Sequence, residues 1–105
     1  MVHHIVLCKL YPGVEDEQVE SLMRQTRIRL LKIGEVRAIQ CGKRIEMGSE
    51  WGFFFSADFE SMEKMAEGHG NPVYERFWTE VIAPYVSEQL SLSYEMEPGM
   101  NVRYS

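Results

Sequence analysis

Few side chains in this chain can do chemistry at neutral pH, and two of them stand together at its start. His3 and His4 open the run HHIVLCKL. Imidazole is the side chain whose ordinary pKa lies nearest neutrality, so each ring can accept a proton, donate one or hold a metal. The third histidine, His69, sits in Gly-His-Gly-Asn-Pro, and the only thiols are Cys8 and Cys41. No carboxylate or thiol stands at ligand spacing from any histidine, so no metal site and no cofactor is expected. The two cysteines lack a CxxC spacing and read as buried, reduced thiols that pack as small hydrophobes.

The elements that must position these groups follow from periodicity. Along Val2–Leu10 the residues His4, Val6, Cys8 and Leu10 face one way and His3, Ile5, Leu7 and Lys9 the other. This strand offers no polar face, so it must be covered twice. Pro12 and Gly13 end it. Glu15, Asp16 and Glu17 then favour a helix N-terminus, and Val19, Leu22, Met23, Thr26, Leu30 and Ile33 recur at helical steps as one buried stripe. Gly34 is expected to stop that helix.

The stretch 35–42 reads as a second strand and 51–59 as a third, with Trp51, Phe53, Phe55, Ala57 and Phe59 on one face. Ser61 is a plausible N-cap for a short helix through Glu67. GHGNP reads as punctuation, with His69 as a turn residue. Pro72 suits the first turn of a further helix, whose Tyr74, Phe77, Trp78, Val81, Ile82 and Tyr85 repeat with helical period. A last strand alternates Leu90, Leu92, Tyr94 and Met96 against Gln89, Ser91, Ser93 and Glu95. The tail, residues 97–105, has no periodicity, so the folding unit is taken as residues 1–96.

This order predicts an α+β, ferredoxin-like fold: a four-stranded antiparallel sheet with helices on one face. The other face carries Ile5, Leu7 and Phe54 and would leave more apolar surface bare than a soluble monomer usually tolerates. A homodimer, with two sheets closing face to face into an α+β barrel, removes the conflict. A net charge of −5 leaves no basic stripe for phosphates, so nucleic acid is not an expected partner. No apolar run approaches the ~20 residues that span a bilayer, and no signal peptide is visible. No membrane partner is expected, and a cytoplasmic location follows.

The segments HHIVLCKL, PGVEDEQVESLM, the Cys41-Gly42 pair, FFFSADFES and NPVYERFWTEVIAPYV together resemble the stress-responsive A/B barrel domain (Dabb) family, from about Val2 to Glu95. The resemblance implies a dimeric α+β barrel. Most members have no established reaction; some plant members are linked to stress tolerance, and one branch acts as a cofactor-free polyketide cyclase. In that branch two histidines line a pocket between sheet and helices, and one serves as base for an intramolecular aldol condensation. The first maps onto His4. The second belongs to an HPxH motif whose counterpart here is Asn71-Pro72-Val73-Tyr74, so a tyrosine stands where the base would be.

A phenol of ordinary pKa is only about 0.1 % ionised near pH 7. Tyr74 is therefore expected to donate a hydrogen bond to a developing oxyanion, with His4 as base. Other pocket positions also differ, since Gly68 and Thr26 replace tyrosines of the cyclase branch. His69 offers a second imidazole from a shifted position. The resemblance thus implies a small hydrophobic or aromatic ligand held by His4 and Tyr74, with Val6, Cys8, Met23, Thr26, His69, Phe77 and Trp78 lining the pocket. Two functions stay open: a barrel protein of uncharacterised activity that binds such a ligand, and a cofactor-free cyclase-, lyase- or isomerase-like enzyme. For the aromatic residues, plain core packing competes with a ligand-lining role. For His4, a bond to a neighbouring backbone group competes with a ligand role.

Overall fold

A computed structural model describes residues 1–98; the remainder of the predicted tail, 99–105, lies outside the described residues. Eight segments follow in chain order: β1 (Val2–Leu10), α1 (Asp16–Leu30), β2 (Ala38–Lys43), β3 (Phe53–Phe59), α2 (Met62–His69), α3 (Pro72–Phe77), a wide helical turn (Trp78–Ile82) and β4 (Val86–Glu95). The strands form one antiparallel sheet in the order β2-β3-β1-β4. This is the ferredoxin-like arrangement expected from the sequence.

Because β1 is central, its two faces set the two sides of the sheet. Val2, His4, Val6 and Cys8 are buried under the helices with Phe53, Phe55, Ala57 and Phe59 of β3. Leu22 and Leu30 of α1 and Phe77, Val81 and Ile82 close this layer from above. Each such side chain contributes on the order of 2 kcal/mol by leaving water. The other side presents Ile5, Leu7, Phe54, Leu90, Leu92 and Tyr94, with no helix among the described residues over them. Leu90 and Tyr94 are 42% and 50% exposed. On that side the Phe54 ring lies across Gly42, its cross-strand partner, where an added Cβ would stand 2.8 Å from the ring.

Local chemistry explains the helix ends. The Gln18 side chain accepts from the Glu15 backbone N–H at 2.8 Å, half of a capping box. Helix α1 stops at Leu30, earlier than Gly34. Successive tight turns, Ile33 N–H to the Leu30 carbonyl and Val36 N–H to the Ile33 carbonyl, fold Ile33 back onto the core. Strand β2 accordingly starts at Ala38, not at residue 35. Ser61 caps α2 by accepting from the Lys64 N–H at 3.1 Å. The helix predicted after Pro72 is regular only to Phe77. Beyond it the Ala83 N–H reaches the Trp78 carbonyl at 2.8 Å, a five-residue step. The widened turn lets Phe77 and Ile82, five positions apart, both be fully buried.

Candidate functional site

Three rings from three elements converge at one end of the layer between sheet and helices. His4 comes from β1, His69 from the last turn of α2 and Tyr74 from the first turn of α3. The ring of His69 lies 4.7 Å from that of His4 and 4.7 Å from that of Tyr74, centroid to centroid. Phe59 closes the back of His69 at 5.7 Å.

The turn between α2 and α3 builds this meeting point. His69 is helical, not a turn residue, because α2 runs two residues past Glu67 and is stopped by Gly70. The side chain of Asn71 then caps α3, accepting from the Val73 N–H at 2.9 Å, and Pro72 fills the first helical position. Tyr74 is thereby set two residues into a new helix, back over His69. Gly68 is what lets α2 come close enough. A Cβ there would stand 2.8 Å from the Phe59 ring and 3.6 Å from Ile33.

Electrostatics keep all three rings uncharged. Burial, aided by the neighbouring His69 and His3, pushes His4 down to about 4. Burial also lowers His69. Tyr74 is pushed up to about 12, first by burial and then by the nearby Cys8 thiol. At neutral pH the site therefore holds two neutral imidazoles and a protonated phenol.

Nδ1 of His4 lies 2.7 Å from Oγ of Ser93, its cross-strand neighbour on β4. Its other ring nitrogen, both nitrogens of His69 and the Tyr74 hydroxyl find no hydrogen-bond partner among the described residues. No buried side-chain nitrogen or oxygen among those residues lacks a partner, so these unpaired atoms retain access to solvent. Next to the site, Ser93 lines a cavity of about 340 Å³ with Val2, Ser61, Met62 and Tyr94.

The other residues expected in the pocket lie deeper. Val6, Cys8, Thr26 and Phe77 are fully buried in close packing, with Phe77 edge-on to Phe55 at 5.3 Å. The Thr26 hydroxyl is spent on the Leu22 carbonyl at 2.7 Å, inside its own helix. Met23 and Trp78 are half-buried at the margin of the core. Burial pushes the Cys8 thiol up to about 12, which makes it a poor nucleophile. His3 faces the opposite side of the sheet, paired with Asp58.

Ser93 was missed by sequence reasoning. The alternation placed it on the polar face of β4, but only the register of β4 against β1 sets it beside His4.

The fold and this ring cluster define an α+β sandwich of the ferredoxin-like class with a compact polar site under its helices. The chain belongs to the stress responsive A/B barrel domain family, which matches residues 2–96. Among solved structures it is similar to a protein of Arabidopsis thaliana, at 23% identity and a TM-score of 0.81, over 96% of this chain and all of that one. A dimeric ferredoxin-like protein of unknown function from Bacteroides fragilis is 22% identical, with a TM-score of 0.74, covering 90% of this chain and 95% of that one. The hydroxynitrile lyase of Passiflora edulis is 14% identical, with a TM-score of 0.77, covering 95% and 96%. Comparison with curated proteins gives no significant match.

Proposed function

We propose that this chain is a homodimeric barrel protein whose protomers each bind a small, uncharged, hydrophobic or aromatic molecule at His4, His69 and Tyr74. The observation that carries this reading is the convergence of three neutral rings with unpaired polar atoms at a solvent-accessible end of an otherwise closed core. Such a site suits a ligand with a carbonyl or hydroxyl group. A charged ligand would enter a place that already disfavours charge on His4 and Tyr74. The dimer is supported by the bare apolar face of the sheet and by dimeric neighbours of the same fold. Cytoplasmic residence belongs to the same reading and is supported by two unpaired cysteines.

A second reading is a cofactor-free lyase-, isomerase- or cyclase-type activity. His69 favours it, because it brings the second imidazole, offered by the sequence from a shifted position, to within 4.7 Å of the Tyr74 ring. His4 or His69 would take a proton and Tyr74 would donate to the developing oxyanion. The hydroxynitrile lyase of Passiflora edulis supports the idea only in that a protein of this fold is a lyase.

The test is a titration of ring-labelled histidines by NMR with neutral aromatic carbonyl compounds, beginning with benzaldehyde and acetophenone. Saturable shifts at His4 and His69, absent at His3, are expected. Ring signals that ignore every probe would sink the ligand reading, and binding without turnover would remove the enzymatic one.

A further inference from the structure

The side chain of Ser93 contacts two groups at once. Its Oγ lies 2.7 Å from Nδ1 of His4 and 3.6 Å from the thioether sulfur of Met65, on α2. A hydroxyl has one proton to give and two lone pairs to offer, whereas a thioether can only accept. Two arrangements satisfy these facts. In one, Ser93 donates to Met65 and accepts from a protonated Nδ1. In the other, Ser93 donates to a bare Nδ1, and the hydrogen of His4 sits on Nε2.

The surroundings separate the two. The first arrangement gives every member of the chain Met65–Ser93–His4 a partner. It also leaves Nε2 as a bare acceptor in the same cluster as Tyr74, whose hydroxyl has a proton and no acceptor. The second leaves the sulfur of Met65 without a donor. It would also leave the bare nitrogen of neutral His69 as the only ring nitrogen able to accept from two donors, Nε2–H and the phenol, in a half-buried site.

We propose that Ser93 is a positioning residue that holds His4 in its Nδ1–H tautomer, so that Nε2 is the proton acceptor the site presents to its ligand. Met65 takes the proton of the serine and thereby fixes the direction of the chain. The question is well posed because His4 is neutral near pH 7, so its ring carries a single hydrogen. This inference deepens the reading of His4 as the ligand-facing base, but it concerns the free protein and needs no ligand.

The experiment records nitrogen chemical shifts of ring-labelled histidines in the full chain near pH 7, with His3→Gln and His69→Gln used for assignment. In the natural protein, Nδ1 of His4 should appear as the protonated nitrogen and Nε2 as the bare one. Ser93→Ala should shift the tautomer ratio about five- to tenfold, the size that follows from losing one hydrogen bond. Ser93→Thr should keep the natural pattern, and Met65→Leu should move it toward the Nε2–H form. Ser93 is an exposed residue of an edge strand, so the fold should tolerate each Ser93 change.

A bare Nδ1 in the natural protein would overturn the proposal, as would a ratio that Ser93→Ala leaves unchanged. The expected tautomer combined with silence toward every carbonyl probe would uphold this inference and defeat the ligand reading alone.

Discussion

His69 meets His4 edge-on, with ring centroids 4.7 Å apart and planes inclined at 63°. One ring belongs to the first strand and the other to the last residue of α2, so the pairing is wholly a product of tertiary structure. Burial lowers the tendency of His4 to accept a proton and the neighbouring His69 lowers it further, because two adjacent positive charges in a half-buried place would repel. The pair therefore has a consequence for folding as well as for chemistry.

Stability should fall as the pH is lowered from about 6.5 toward 4. His4 binds its proton near the ordinary value when unfolded and only at about 4 when folded. Between those values the unfolded chain holds more protons, so acid favours it, and the slope vanishes below the lower value. A shift of this size, reduced for partial solvent access, is worth about 2 kcal/mol. Urea unfolding at pH 7 and pH 5, at one protein concentration, should show roughly half of it. His4→Gln should flatten the dependence; an unchanged slope would mean that His4 is not the group responsible.

Gly68→Ala should separate the two histidines. The new methyl group would stand 2.8 Å from the buried Phe59 ring, so α2 must move away from β3. Overpacking of this kind costs about 1–3 kcal/mol. Denaturant unfolding should report that loss, and the pKa of His69 should return toward its ordinary value as its burial decreases. Full stability with unchanged His69 titration would show that the helix has room to spare.

Tyr74→Phe should behave in the opposite way. The ring keeps its packing against His69 and Phe77, at 4.7 and 6.1 Å, and its hydroxyl has no partner among the described residues to lose. Stability should change by less than about 0.5 kcal/mol. The histidine shifts caused by carbonyl probes should weaken about five- to tenfold, as for one lost hydrogen bond. Undiminished binding would take Tyr74 out of the site.

These residues also mark where sequence reading succeeds. Alternation in β1 and β3 and the spaced stripe of α1 state which face goes under the helices, although Ser56 on the other face of β3 is buried too, and this decides the layer order of the sandwich. The separation of His3 from His4 onto opposite faces follows from the same two-residue period. His69 was harder to place. Glycines on both sides argue locally for a turn, yet α2 continues through Gly68 because only a residue without Cβ fits against Phe59 and Ile33. The depth of the expected pocket was equally hidden. Helical spacing cannot distinguish Phe77 lining a cavity from Phe77 filling one, and here it fills one against Phe55.

The bare side of the sheet gives the prediction with the widest reach. Leu90 pairs with Leu7, and Leu92 with Ile5, so the two strands raise a contiguous apolar ridge beside Phe54. Nothing among the described residues covers it, and surfaces of this kind on soluble proteins mark interfaces. Replacing Leu90, 42% exposed in the protomer, by glutamate should cost the isolated fold less than about 0.5 kcal/mol. It would place an unpaired charge on the apolar ridge proposed to pair with a second sheet, where desolvation without a partner should weaken association at least about 100-fold, or about 3 kcal/mol. Sedimentation should accordingly find the natural chain dimeric at micromolar concentration and Leu90→Glu monomeric, with matching circular dichroism. Because the His4 cluster lies on the opposite side of the sheet, the monomeric variant should still show the low pKa of His4. A natural chain that sediments as a monomer at every concentration would remove the barrel.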